Sequence, residues 1–314
     1  MDHKMKNLPK IAMGAWAWGD TDGYFGNTMT GEDFCPIFDA AVKAGLNLWD
    51  TATAYSNGES EKILGRLVND AGREKIIVST KFTPQMAGMY GDSVVKMCEA
   101  SLERMNMEYF DIYWIHNPVG APEYTRQLIP LLQSGRVKSV GVSNHNLAQI
   151  KEADEILKAA GFRVSAVQNH YSLLNRSSEE SGILDYCKAN DIVFYGYMTL
   201  EQGALSGRYD AEHPFPEGSA RAKVFNPMLL QIEVITAELK KIAEAHGVSA
   251  AQVATAYAVN KGVLPILGVT KMYQVEEAVK TAGIALAAEE MASLEAAADR
   301  SGASSIQFWE SKME

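Results

Sequence analysis

Three apolar runs of this 314-residue chain each give way to a group that can carry or move a proton. Leu46–Trp49 runs into Asp50-Thr51-Ala52-Thr53-Ala54-Tyr55, Ile76–Thr80 stops at Lys81, and Tyr109–Ile115 stops at His116. Burying such groups one at a time in a core is costly, so their repeated position at the exits of apolar runs points to one shared polar site. A phenol with an ordinary pKa of about 10 is a poor proton donor near neutrality unless its phenolate is stabilised. Lys81 can supply the stabilising charge, and Asp50 can hold Lys81 protonated and oriented. Tyr55 then serves as a general acid, while His116 donates a hydrogen bond to a substrate oxygen. The set suits protonation of a carbonyl oxygen. Singly, each residue has a plainer explanation: Tyr55 as an amphipathic surface residue, Lys81 as a solvated strand end, Asp50 as a turn or cap, His116 as a core histidine. It is their succession along the chain that argues for chemistry.

Positioning four such groups requires strands that converge. Eight strand-like runs are readable: Ile11–Ala15, Leu46–Trp49, Ile76–Thr80, Tyr109–Ile115, Ser139–Val142, Ser165–Val167, Ile192–Tyr195 and Leu264–Leu267. Helical faces lie between them, as in Phe34, Ile37, Phe38, Ala41 and Val42, in Ile63, Leu64, Leu67 and Val68, in Val94, Cys98, Leu102 and Met105, and in Ile150, Ala153, Ile156 and Leu157. Ser56 with Glu59 has capping-box spacing, and Gly45, Gly72, Gly135 and Gly161 stand where helices should end. Regular alternation implies a parallel sheet wound with helices. An open sheet binds at one switch point, whereas a barrel gathers residues from many strand ends. Here polar groups follow nearly every run: Ser143 and Asn144, Gln168 and Asn169, Tyr197, then Thr270 and Lys271. The expectation is therefore an α/β chain folded as a (β/α)8 TIM barrel, one domain over residues 1–314. Two irregular stretches, Trp18–Gly31 and Gly207–Pro227, are long enough to act as binding loops, and the second is expected to cover a ligand.

With these residues in place, the sequence resembles the aldo-keto reductase family from Gly14 to about Ala278. The likeness rests on Gly14-Ala15-Trp16, Asp50-Thr51-Ala52 with Tyr55, Ser60-Glu61, Leu64-Gly65, Ser79-Thr80-Lys81, Ile115-His116 and Gly141-Val142-Ser143-Asn144. It continues through Val167-Gln168, Tyr197 with Leu200 and Gly203, Leu205-Ser206-Gly207-Arg208-Tyr209, and Gly268-Val269-Thr270-Lys271 with Gln274. The resemblance implies a barrel that binds a nicotinamide dinucleotide without a Rossmann domain, and no Gly-x-Gly-x-x-Gly occurs. It implies Tyr55 as acid, Lys81 and Asp50 as its tuning pair, and His116 as the residue that orients the carbonyl. Ser143, Asn144 and Gln168 match residues that hold the nicotinamide carboxamide, and Tyr197 the aromatic that stacks on its ring. Leu200, Gly203, Gly207, Arg208, Gly268, Thr270, Lys271 and Gln274 complete the implied cofactor set, with Trp16 at a substrate position. Thr270 is a good N-cap, and Lys271 in the first turn after it opposes the helix dipole unless an anion is bound there. The matching family position contacts the adenosine 2'-phosphate, so NADP(H) is expected over NAD(H), with Arg208 and Lys223 as further phosphate contacts. Trp18, Phe82 and Tyr90 are expected beside Trp16 on the substrate side. Ser56, Asn117 and Ala278 depart from a frequent glycine, aromatic and asparagine, which bears on pocket shape and adenine contacts.

Composition narrows the alternatives. A formal charge of -10 opposes a general role on nucleic acid or anionic membrane. Cys35, Cys98 and Cys187 are few, odd in number and far apart, as in a reducing compartment, and the start of the chain shows no signal-peptide or membrane segment. The expected place is the cytoplasm, and the expected partner a small-molecule carbonyl. Two other readings compete: a nicotinamide-binding regulatory module resembling potassium channel β-subunits, and a metal-dependent hydrolase using His116, His145 and His170, for which no clear ligand set is readable. The C-terminal Ser304–Trp309 either folds over the pocket or packs on its own barrel or on another subunit.

Overall fold

The computed structural model describes residues 7–21, 23–26, 28–89, 92–307, 309–310 and 313. Its eight strands are β1 (Ala12–Gly14), β2 (Leu48–Asp50), β3 (Ile77–Phe82), β4 (Phe110–Ile115), β5 (Val137–Ser143), β6 (Ala166–His170), β7 (Val193–Tyr197) and β8 (Leu264–Gly268). Each runs parallel to the next, and β8 pairs back onto β1, closing a (β/α)8 barrel. All eight expected runs are strands, shifted by a few residues at their ends.

The helices are α1 (Cys35–Lys43), α2 (Glu59–Ala71), α3 (Val94–Met105), α4 (Ala121–Ser134), α5 (Leu147–Lys158), α6 (Ser177–Glu180), α7 (Ile183–Ala189), α8 (Ala220–Phe225), α9 (Leu229–His246), α10 (Ala250–Asn260), α11 (Met272–Thr281) and α12 (Ala288–Ser301). The faces read from the sequence are the buried ones: Ile37, Phe38 and Ala41 in α1, and Ile63, Leu64, Leu67 and Val68 in α2. Gly135 and Gly72 cap α4 and α2 with φ of 74° and 100°. Gly45 and Gly161 turn the chain just beyond α1 and α5, with φ of 85° and 81°.

Strand geometry sorts side chains into two cores, because successive residues face opposite sides. Leu48, Ile77, Ile112, Trp114, Ala166, Tyr195 and Leu264 fill the barrel, while Trp49, Val78, Tyr113, Ile115, Val167 and Phe194 pack outward under the helices. Continuing the inward parity toward the strand ends lands on Asp50 after Leu48, Lys81 after Ser79, His116 after Trp114, Gln168 after Ala166 and Tyr197 after Tyr195. The polar site is the top layer of the same column whose lower layers are apolar.

Two local expectations fail. Ser56 does not cap α2: Tyr55–Gly58 is a tight 3-10 turn in which Ser56, Asn57 and Gly58 all take left-handed φ of 48°, 53° and 86°, and Gly58 is the residue before the helix. The sharp reversal after β2 is needed to turn Tyr55 into the barrel mouth, and it leaves Ser56 where glycine would be unstrained. Gly207–Pro227 is not wholly irregular either, since α8 lies inside it and Tyr209, Phe215 and Phe225 stack at 3.8 and 5.5 Å between centroids. That aromatic stack gives the segment a core of its own.

One interior position admits no side chain. A Cβ on Gly141 would sit 2.3 Å from the Trp114 ring and 2.8 Å from the Ala166 carbonyl, and Trp114 is itself held edge-on to Tyr195 at 5.2 Å. Gly141→Ala is expected to destabilise the fold by about 3 kcal/mol, the upper part of the overpacking range, because a backbone atom cannot yield as a side chain can. Urea denaturation followed by tryptophan fluorescence checks this, and an unchanged midpoint contradicts it.

Candidate active site

The barrel mouth at the strand C-termini opens into a cavity of about 1120 Å³. Lys81 stands at its base with no exposed surface. Its Nζ donates to Asp50 Oδ2 at 2.5 Å, to the Thr51 carbonyl at 2.7 Å and to Tyr55 Oη at 3.2 Å. Asp50 is held in turn by Ser79 Oγ at 2.5 Å and by Gln168 Nε2 at 3.4 Å, both on Oδ1. The His116 ring lies edge-on to Tyr55 with centroids 5.9 Å apart, and its Nδ1 is 2.9 Å from Thr83 Oγ1. The four expected proton-handling residues therefore meet at one place.

Electrostatics there follow from burial and one lysine. Removal from water lowers the Lys81 pKa, but Asp50 and Tyr55 together outweigh it and the pKa is raised above its ordinary value. Burial likewise pushes Tyr55 up, and Lys81 only partly offsets it. The ammonium acts in the expected direction and lowers the phenol's pKa, but desolvation and the Asp50 charge leave it above its ordinary value. His116 is driven well below its ordinary value by burial and by the Lys81 charge, which makes it a neutral imidazole at neutral pH.

The other expected residues divide by position. Ser143, Asn144, Gln168, Tyr197, Leu200, Gly203, Arg208, Gly268, Thr270, Lys271, Gln274, Ala278 and Trp16 all line the cavity. Gly207 does not; it turns behind the lining with φ 74°, where a Cβ would meet Lys240 at 2.9 Å, and Ser206 takes the lining position. Lys223 is not among the lining residues, but Arg221 is, with its guanidinium 5.3 Å above Phe215. Thr270 is not the N-cap of α11. Lys271 is, and Gln274 Oε1 reaches back to accept the Thr270 and Lys271 backbone N–H groups at 2.8 and 2.9 Å. Arg208 donates to Tyr273 Oη at 2.7 Å and lies over that ring.

On the substrate side, Trp16 lines the cavity, but Trp18 and Phe82 do not. Trp18 is buried against Phe34 and Trp49 and donates its indole N–H to the Val269 carbonyl at 2.8 Å. Phe82 follows inward Lys81, so it must face out, and it packs on Tyr124 at 4.6 Å. Tyr90 lies outside the described residues. The wall is built instead from Tyr24, Phe25 and Trp309, at 5.3, 4.9 and 5.7 Å from Trp16, together with Met29, Gln85 and Asn117. Asn117 donates to Gln85 Oε1 at 2.7 Å, an amide pair where an aromatic was the frequent residue. No local pattern marks Trp309; the C-terminal segment folds back over its own barrel at the cavity rim, although Phe308 within it is not described.

The three histidines of the metal reading serve different partners. His145 Nδ1 meets the Ser143 carbonyl at 2.7 Å, and His170 sits between Glu201 and Glu310. Of the eight non-glycine residues with left-handed φ among the described ones, six flank this mouth: Ser56, Asn57, Asn144, Met198, Glu201 and Gln202. Backbone held in sparsely populated regions collects at sites where side-chain direction matters more than stability.

The aldo/keto reductase family model matches residues 10–299. A chloroplastic pyridoxal reductase of Arabidopsis thaliana is 29% identical, over 96% of this chain and 86% of its own. The solved glycerol dehydrogenase of Gluconobacter oxydans superposes with a TM-score of 0.79 at 26% identity, covering 96% of this chain and 94% of that one. An aldo-keto reductase of Klebsiella pneumoniae solved with NADPH gives a TM-score of 0.71 at 22% identity, over 92% and 90% of the two chains, a likeness of fold. A matched segment that spans all eight strands and the whole cavity lining up to Thr281 places this chain in the aldo/keto reductase family, as a nicotinamide-dependent oxidoreductase.

Proposed function

We propose that the chain reduces an aldehyde or ketone to an alcohol at the expense of NADPH, with Tyr55 as the proton donor. The observation that carries this reading is the buried chain of contacts Asp50–Lys81–Tyr55, with a phenol hydroxyl 3.2 Å from an ammonium at the base of a large cavity.

The residues present suit a dinucleotide. The cavity stands at the upper end of the usual range for ligand sites, so it has room for a dinucleotide and a small substrate together. Gly268 lines it with no atom near the position of a Cβ, and Gln202 Oε1, also in the lining, is buried without a protein partner. A carboxamide needs both donors and acceptors, which Ser143, Asn144 and Gln168 offer at neighbouring strand ends. Tyr197 presents an aromatic face beside them. Arg208, Arg221 and Lys271 gather at the other side, in a chain that is otherwise acidic, and support a phosphate there and hence NADPH over NADH. When bound, the reduced nicotinamide supplies hydride to the carbonyl carbon.

The chain's own residues do the rest. His116 is neutral; with Thr83 Oγ1 donating to Nδ1, the ring proton sits on Nε2, the tautomer in which His116 donates to the carbonyl oxygen in this mechanism. Tyr55 Oη gives its proton to that oxygen as the C=O bond opens, and the phenolate left behind sits against the Lys81 ammonium. A phenol held protonated suits this direction, because an alkoxide is a far stronger base than a phenolate. Asp50 keeps Lys81 charged and in place, and Ser79 keeps Asp50 in place. The aromatic wall of Trp16, Tyr24, Phe25 and Trp309 excludes water from the reacting carbon. Three free cysteines, two of them buried, support a cytoplasmic, reducing location. Among the described residues no helix is long and apolar enough to cross a membrane.

Tyr55→Phe is expected to lower kcat by about 10²–10⁴-fold while leaving NADPH affinity unchanged, read as loss of nicotinamide absorbance with a panel of simple aldehydes and ketones. Equal turnover by the variant refutes the acid assignment, and no turnover of any carbonyl by the parent protein refutes the reaction. Lys271→Ala is expected to raise the KM for NADPH by ~10-fold and leave the KM for NADH unmoved; a parallel rise in both removes the phosphate reading. With His116 depressed and Tyr55 raised, kcat/KM for reduction should be level between the ordinary histidine and phenol values of about 6.5 and 10. An inflection inside that window contradicts the assigned protonation states.

A further inference from the structure

The hydroxyl of Tyr197, in the cavity lining, is tied to the C-terminal segment. Tyr197 Oη is 3.0 Å from Glu310 Oε1 and 2.5 Å from Asn144 Oδ1, so the acceptor on the distal tail shares the hydroxyl with a residue of the neighbouring strand end. The Glu310 carboxylate is only 3% exposed, and the same oxygen lies 2.8 Å from His170 Nδ1. His170 in turn sets Nε2 2.7 Å from Glu201 Oε1, and Glu201 also accepts from Ser305 Oγ at 2.8 Å. Asn175 donates to the Ser305 carbonyl at 3.0 Å.

Two carboxylates on the two ring nitrogens of one buried imidazole require both nitrogens to be donors. Burial opposes that charge, but Glu201 and Glu310 outweigh it and lift the pKa of His170 to about 10. The imidazolium ring also lies parallel to the Tyr197 ring, with centroids 5.5 Å apart and 26° between planes. Tyr197 is therefore held twice by one cluster, at its hydroxyl by Glu310 and across its face by His170. A Glu310 removed from this cluster would leave the imidazolium buried with one carboxylate and the tyrosine hydroxyl with one acceptor. Nothing in the proposed reaction uses Glu310, which follows the last helix of the barrel.

We propose that Glu310 is a positioning residue for Tyr197: by docking the C-terminal tail on His170 it fixes the plane on which the nicotinamide ring rests, and so retains the nicotinamide end of the cofactor. This rests on the assignment of Tyr197 as the stacking aromatic. In the proposed cofactor reading the adenine end falls to other lining elements, Arg208 and α11, so the two ends are separable in their response to Glu310.

The experiment compares NADPH with adenosine 2',5'-bisphosphate, which has the adenine end and no nicotinamide, on the full chain by calorimetry. Glu310→Ala is expected to weaken NADPH by ~10-fold and to leave the bisphosphate unchanged, with Glu310→Gln falling between because the amide oxygen still accepts from Tyr197 but lacks the charge for His170. Tyr197→Phe should weaken NADPH by a similar factor, and the double variant should be no weaker than either single one, as for two residues acting through one contact. Equal NADPH affinity in Glu310→Ala overturns the proposal, and so does equal weakening of both ligands, which would signal loss of the whole tail or fold. Failure of the parent protein to bind NADPH would instead strike the cofactor reading, and is distinguishable from either.

Discussion

A lysine with no exposed surface, inside a barrel, is the constraint around which the mouth is organised. Taking an ammonium out of water costs several kcal/mol, and the loss is recovered only where an opposite charge and further acceptors surround it closely. Lys81 has Asp50, the Thr51 carbonyl and Tyr55 Oη, three acceptors for three hydrogens. Two of the three come from β2 and the residue directly after it, so the β2–β3 register, which sets Asp50 opposite Ser79, cannot shift without stranding a charge. Removal of Asp50 alone would leave the lysine unpaired, whereas removal of both would leave an apolar gap and no proton relay.

The outer face of the same strand is secured independently. Thr80, pointing away from Lys81, donates to Glu61 Oε1 of α2 at 2.6 Å, and Glu61, also without exposed surface, pairs with Arg104 of α3. Thr53 joins the set through Ser101 Oγ at 3.0 Å. Gly65 of α2 lets that helix approach Met105 so closely that a Cβ would stand 2.6 Å from its Cα. The position of Tyr55 follows from both sides: the turn that carries it begins at an inward aspartate and ends at a helix anchored through an outward glutamate.

Much of this was readable from residue order, and the misreadings share physical causes. Strands and helix faces were legible because each is a local period, and Asp50, Lys81 and His116 because each closes or follows such a period at its inward parity, with Tyr55 on the turn just after Asp50. Trp18 and Phe82 were misplaced by sequence proximity. Neighbours on a strand face opposite ways, so the residue beside Lys81 is excluded from the cavity by the same geometry that admits Lys81. Ser56 and Thr270 carry the right side chains for caps, but capping is decided by backbone direction: a left-handed turn displaces Ser56, and α11 starts one residue later, with Lys271 as its N-cap and Gln274 reaching back. The sign of the Lys81 effect on Tyr55 was readable, but not the desolvation that opposes it, which depends on neighbours drawn from distant segments. The tail through Trp309 was left open between covering the pocket and packing elsewhere, and Glu310 was not anticipated, since their partners Trp16 and His170 lie nearly 300 and 140 residues away with no period linking them.

The inward parity of the mouth residues bears on which length changes the chain can accept. An extra residue in Trp18–Gly31 or in Gly207–Pro227 leaves the strand pairing untouched, since neither stretch is paired in the sheet. A single-residue deletion within β3 ahead of Lys81 would deliver Thr80's neighbour to the helix side and bring a phenylalanine to face Asp50. Drift in this barrel can therefore remodel its rim by insertion while the staves keep a fixed count, and the cavity wall can change without the Asp50–Lys81–Tyr55 contacts moving.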